Sequence, residues 1–146
     1  MQLTDDFRDM LDRTLAALSH LVNGDPGPYL ALWSHADDVT VMGGFGSYET
    51  GWDRVRQNTE FAASRFRGGQ VSGVEEMAAS ASGDLAYAVW IERGEVQVEG
   101  REEPAPLAVR ITHVFRREDG VWKIIHRHGD PITQFTPATA GLGRPT

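Results

Sequence analysis

From Val71 to His128 the chain reads as four strand-length runs, Val71–Ser80, Leu85–Val98, Leu107–Arg117 and Val121–His128. They are separated by Ser82-Gly83-Asp84, Glu99-Gly100-Arg101 and Glu118-Asp119-Gly120. Runs rich in β-branched and aromatic residues, joined by short glycine turns, fold as an antiparallel meander. The chain before Gly68-Gly69 has a different period. Residues 4–22 place Phe7, Met10, Leu11, Leu15, Leu18, Leu21 and Val22 at helical spacing, with Thr4 as N-cap and Asp5 and Asp6 at the positive end. Asp25-Pro26 opens a short second helix through Tyr29, Leu30 and Trp33. Val39–Met42 is a short strand, and a third helix runs from Trp52 to Phe66. Helices first and a meander after predict an α+β fold, with the helices on one face of the antiparallel sheet.

The chain has 146 residues, enough for one domain. That domain is expected over residues 1–130, with 131–146 as an extended, proline-containing arm. A net charge of −7 works against binding to nucleic acid. No apolar run approaches the ~18–20 residues of a membrane helix, and the acidic start does not suit a signal peptide. The absence of cysteine removes thiolate nucleophiles and thiolate metal sites. A cytoplasmic protein is the expectation.

The last hairpin can be registered from the sequence. If Arg117 faces Val121, then Val109, Ile111, His113, Phe115, Lys123, Ile125, Arg127 and Gly129 share one face. Arg110, Thr112, Val114, Arg116, Trp122, Ile124, His126 and His128 share the other. The first face is mostly apolar with a histidine at its centre, as a pocket floor should be. The second carries Val114, Trp122 and Ile124, an apolar patch suited to pairing two subunits as a homodimer.

Several segments resemble the nuclear transport factor 2-like superfamily, in its SnoaL-like and ketosteroid isomerase-like branches. They are Gly24-Asp25, Ala31-Leu32-Trp33, Ala36-Asp-Asp-Val-Thr-Val41, Gly83-Asp-Leu-Ala-Tyr87, Arg110-Ile-Thr112 and the run Val114–His128. The resemblance spans roughly residues 5–130 and implies a cystatin-like cone: a curved sheet wrapped with three helices around a pocket. It also places His113 where SnoaL-like cyclases carry a catalytic aspartate and ketosteroid isomerases an oxyanion-stabilising acid. The isomerase base position falls on Gly43 and its tyrosine near Ala17, so a true ketosteroid isomerase is not expected.

A histidine on an apolar floor can give or take a proton near neutral pH. His113 is therefore the candidate acid or base, with Arg127 or Lys123 as oxyanion partner. Trp33, Phe45, Trp52, Phe61, Tyr87, Val89, Ile111, Phe115 and Ile125 are the candidate walls for a small-molecule ligand. His126 and His128 have metal-pair spacing, but the register gives them Thr112 and Arg110 as neighbours and no third ligand. No metal and no cofactor are expected. Two functions remain open: an isomerase-, cyclase- or hydrolase-like enzyme acting by proton transfer on a small hydrophobic or carbonyl-bearing compound, or a non-catalytic ligand-binding or association module.

Overall fold

The computed structural model describes residues 3–44 and 46–132. Its elements are α1 (Asp5–Leu21), α2 (Gly27–Leu30), β1 (Thr40–Met42), β2 (Tyr48–Thr50), α3 (Trp52–Arg65), β3 (Phe66–Ser82), β4 (Leu85–Val98), β5 (Ala105–Glu118) and β6 (Val121–Pro131). The six strands form one sheet in the order β2-β1-β6-β5-β4-β3. All neighbours are antiparallel except β1 and β6, which run parallel. This is the expected α+β architecture of three helices and a curved sheet. The short strand β2 was not expected; it pairs Tyr48 with Met42 across the glycine-rich turn. The arm expected at 131–146 lies outside the described residues from 133 onward, and Pro131 itself still belongs to β6.

Helix α1 buries Phe7, Met10, Leu11, Ala17 and Leu18, one helical face, against the sheet. Thr4 occupies the N-cap position, but its hydroxyl bonds Asp6 at 2.6 Å instead of a backbone N–H. Asp6 also accepts from Arg117 at 2.7 Å, and the Arg117 guanidinium lies 4.3 Å above the Trp122 ring. Together these contacts tie the start of α1 to the β5–β6 hairpin. The N-cap position of α2 is Pro26, not Asp25; Asp25 before it accepts from the Gly27 N–H at 3.1 Å. The chain after α2 then binds the edge of β6: Ser34 N–H donates to the Ile124 carbonyl and Ile124 N–H to the Leu32 carbonyl, both at 2.9 Å. That bridge holds α2 and its Tyr29 over the sheet.

The hairpin register differs from the one read in the sequence. Asp119 (φ 51°) and Gly120 (φ 78°) both take positive φ, which makes a two-residue turn with Glu118 facing Val121 and Arg117 facing Trp122. Trp122 (5% exposed) and Ile124 (0%) are consequently core residues on the inner face, and Lys123, opposite Arg116, lies on the outer one. A β-bulge follows, because Phe115 pairs Ile124 while Val114 pairs His126, leaving Ile125 unpaired and partly buried. The extra residue reverses the alternation. From there on Arg127 and Gly129 lie on the inner face, Arg127 directly opposite His113.

Candidate functional site

The inner face of the sheet is apolar except at its centre. In β4 the alternation buries Ala86, Ala88, Trp90 and Glu92, and in β5 it buries Ile111, His113 and Phe115. Cross-strand pairing sets Ala88, His113, Arg127 and Val41 in one row. Tyr29 comes down on this row from α2, and its hydroxyl meets His113 Nε2 at 2.7 Å. Both side chains are enclosed, at 1% and 0% exposure. The His113 ring is further held by Trp90, with centroids 5.1 Å apart, and by Phe115 at 5.8 Å. Trp33 stands edge-on to Tyr29 at 6.1 Å.

Burial pushes the His113 pKa well below its ordinary 6.5, and the positive charges of Arg127 and His126 act the same way. The ring is neutral at pH 7. Burial raises the Tyr29 phenol, while the Arg127 charge and the N–H groups of Arg127 and Trp33 pull it back down. The Trp33 indole N–H is near enough to polarise the phenol yet completes no hydrogen bond. Glu92, 3% exposed, has its pKa raised by burial, with Arg127 opposing.

Arg127 is aimed by a gap in the neighbouring side chains. A Cβ placed on Gly129 would meet Arg127 Nη2 at 3.2 Å and Val109 Cγ1 at 3.4 Å, so the guanidinium lies over the bare glycine. It also sits 6.0 Å from the centroid of the Tyr29 ring. Tyr29, His113, Arg127 and Glu92 thus form a polar cluster inside an apolar shell. His113 Nδ1, Arg127 Nη1 and Glu92 Oε2 are buried without a hydrogen-bond partner among the described residues.

The structure brings His113, Arg127, Trp33, Ile111 and Phe115 together, and leaves Ile125 at the bulge. It separates the other candidates. Tyr87 and Val89 alternate with the buried positions of β4 and face outward. Phe61 is 58% exposed on α3, where Arg65 lies 6.0 Å from its ring. Trp52 is half-buried and stacks on His35 at 3.9 Å. Phe45 lies outside the described residues. Two residues of the cluster were missed in the sequence. Glu92 was legible, being in phase with Ala86, Ala88 and Trp90 on a strand of even alternation. Tyr29 was not, because only the docking of α2 brings it to His113.

His126 and His128 lie on the outer face, opposite Val114 and Thr112. His126 Nδ1 is 2.8 Å from the Thr40 hydroxyl, and His128 Nε2 is 3.8 Å from Asp130. Among the described residues no three His, Asp or Glu side chains are grouped to hold a metal. A depression of about 320 Å³ occupies this outer face beside Val89, Ile91, Arg110 and Thr112. Another, of about 190 Å³, lies between α1 and β3. Neither is lined by His113 or Arg127. No described helix is long and apolar enough to cross a membrane.

A curved sheet and three helices closed around a buried polar cluster define a cone-shaped α+β protein of the nuclear transport factor 2-like kind. Residues 9–133 match the model of the SnoaL-like domain, and the chain belongs to that family. Among solved structures it is similar to a ketosteroid isomerase-like protein from Erwinia carotovora atroseptica (16% identity, 90% of this chain and 100% of that one, TM-score 0.74). It is also similar to a candidate calcium/calmodulin-dependent protein kinase type II association domain from Thiobacillus denitrificans (18%, 91% and 100%, TM-score 0.70). A third is a candidate dehydratase of the NTF2-like family from Streptomyces avermitilis (18%, 89% and 96%, TM-score 0.67). At these identities the likeness shows the fold alone. No curated protein matches the sequence.

Proposed function

We propose that the chain is an enzyme that moves a proton on a small, hydrophobic, carbonyl-bearing compound, with His113 as the base. The observation that carries this is the buried 2.7 Å contact between Tyr29 Oη and His113 Nε2, which fixes the ring and leaves Nδ1 uncommitted. When Nε2 carries the proton and donates to the phenol oxygen, the Nδ1 lone pair is free to take a proton from carbon. The Arg127 guanidinium then stabilises the oxyanion that forms, in surroundings where water does not compete. Isomerisation, cyclisation and loss of water all begin with this step, which agrees with the names of the isomerase-like and dehydratase neighbours.

Solvent deuterium exchange at the α-carbon of tetralone, followed by NMR, tests the first step without requiring the natural product. The wild type is expected to catalyse it, and His113→Asn to lose roughly a hundredfold or more. Exchange that is equal in the two proteins would end the reading.

A second reading, an association module, is favoured by the outer sheet face. Tyr87, Val89, Ile91, Thr112 and Val114 line up there in cross-strand register, and Met77 beside them is 64% exposed. Pairing of two copies through this face makes a homodimer compatible with either function.

A further inference from the structure

The charges inside the cone do not balance. Arg116 is paired with Asp38 and Glu118, Arg117 with Asp6 and Arg110 with Asp130, but Arg127 has no carboxylate within ion-pair distance among the described residues. Its Nη1 is buried and unpartnered. A guanidinium stays protonated at every physiological pH, and although Arg127 as a whole is only half-buried, its enclosed Nη1 is costly unless an acceptor faces it. Glu92 feels the Arg127 charge from inside the cone, yet the carboxyl and the guanidinium form no ion pair, and Glu92 Oε2 is itself unpartnered. The other groups around the guanidinium are the phenol of Tyr29 and the neutral ring of His113. With Glu92 protonated, the inner face is short of one negative charge at Arg127, beside the buried Trp90, Ile111 and Phe115.

Resting on the assignment of this cluster as the binding site, we infer that its ligand is a small hydrophobic carboxylate, held through the carboxylate by Arg127. The planar fork of a guanidinium accepts a carboxylate through two parallel N–H···O bonds, and the tryptophan and phenylalanine rings suit an aromatic or alicyclic body. Gly129 serves this arrangement directly, because a side chain there would press on the guanidinium. Glu92 sets the limit on charge. Its carboxylate form competes for Arg127, so an anionic ligand is best accommodated when that group is neutral.

Titration calorimetry with benzoate and its neutral isostere benzamide tests the inference on the whole protein. Benzoate is expected to bind at least tenfold more tightly than benzamide, a gap of about 1.4 kcal/mol. Arg127→Gln should erase the difference, and Glu92→Gln should keep or tighten benzoate binding by removing the competing charge. Equal binding of the two compounds by the wild type overturns the inference, as does no binding of either. A tenfold loss of benzoate on Glu92→Gln would overturn it too, since the carboxyl would then be a required part of the anion site. The comparison of benzoate with benzamide needs no variant and so stands even if Arg127→Gln folds poorly. Tetralone exchange and benzoate binding fail separately. Exchange without benzoate preference removes the carboxylate and spares the base, and the reverse removes the base alone.

Discussion

The hydroxyl of Tyr29 and Nε2 of His113, 84 residues apart in the chain, meet at 2.7 Å with neither side chain open to solvent. A neutral ring in a dry interior should be cheap to exchange for an apolar one, but here the exchange orphans a buried phenol. Tyr29→Phe and His113→Phe should each cost about 1–3 kcal/mol, the penalty for stranding one polar partner. The double variant should cost clearly less than the sum. Chemical denaturation of the four proteins measures the coupling, and strict additivity would mean that the contact contributes nothing.

Stability should depend on pH in two opposite senses. The folded pKa of His113 is depressed, so below about 6.5 the unfolded chain takes up a proton that the native ring refuses. Stability from this group is present above that value and is lost as pH falls. The folded pKa of Glu92 is raised, so its contribution is present below the usual carboxylate value near 4.5 and is lost as pH rises toward the folded pKa. Melting curves across pH should show His113→Phe flattening the loss below pH ~6.5, and Glu92→Gln flattening the loss above ~4.5. An unchanged pH profile in either variant would place that group in contact with water.

The meander, the helices and the inner face of β5 were legible because period and turn chemistry agree over long stretches. The near half of β6 was not. Reading Glu118-Asp119-Gly120 as the turn set Arg117 against Val121, whereas Asp119-Gly120 alone is the two-residue turn that its positive φ values require. That single step put Trp122 and Ile124 on the wrong face. The bulge at Ile125 then cancelled it, which is why Arg127 was placed correctly on the same face as His113. A bulge leaves no mark in hydrophobic alternation when both phases carry apolar residues, as Trp122, Ile124 and Ile125 do here. Tyr29 was hidden for a different reason: its partner lies across the fold, and local spacing holds no information about that.

The outer face should bury itself against a second copy, through Tyr87, Val89, Ile91 and Val114 in place of Trp122 and Ile124. A charge placed centrally there cannot be solvated in an interface and has no partner. Val89→Asp should therefore convert a homodimer to a monomer with the fold intact, since Val89 faces away from the core. Light scattering at micromolar concentration reads the result. A monomeric wild type would leave the face without this role.

Two glycines separate a structural need for a bare backbone from a functional one. A Cβ on Gly94 would come within 2.0 Å of the Gln70 carbonyl oxygen and 3.0 Å of Val71 Cα, both backbone atoms of the paired strand β3. Backbone held in a ladder cannot step aside, so Gly94→Ala must push β3 from β4 at a cost of about 1–3 kcal/mol or more. At Gly129 the nearest atom is Arg127 Nη2 at 3.2 Å, the far end of a flexible side chain, with Val109 Cγ1 at 3.4 Å. Shifting the guanidinium by a few tenths of an ångström relieves the contact, so Gly129→Ala should melt within about 1 kcal/mol of wild type. The same small shift moves the Arg127 guanidinium away from the Tyr29–His113 pair. Binding and exchange should then fall while stability holds, a separation that Gly94→Ala cannot produce. Melting temperature and tetralone exchange, measured on both variants, decide it. A Gly129→Ala protein with full exchange activity would show that the position of Arg127 does not matter to the chemistry.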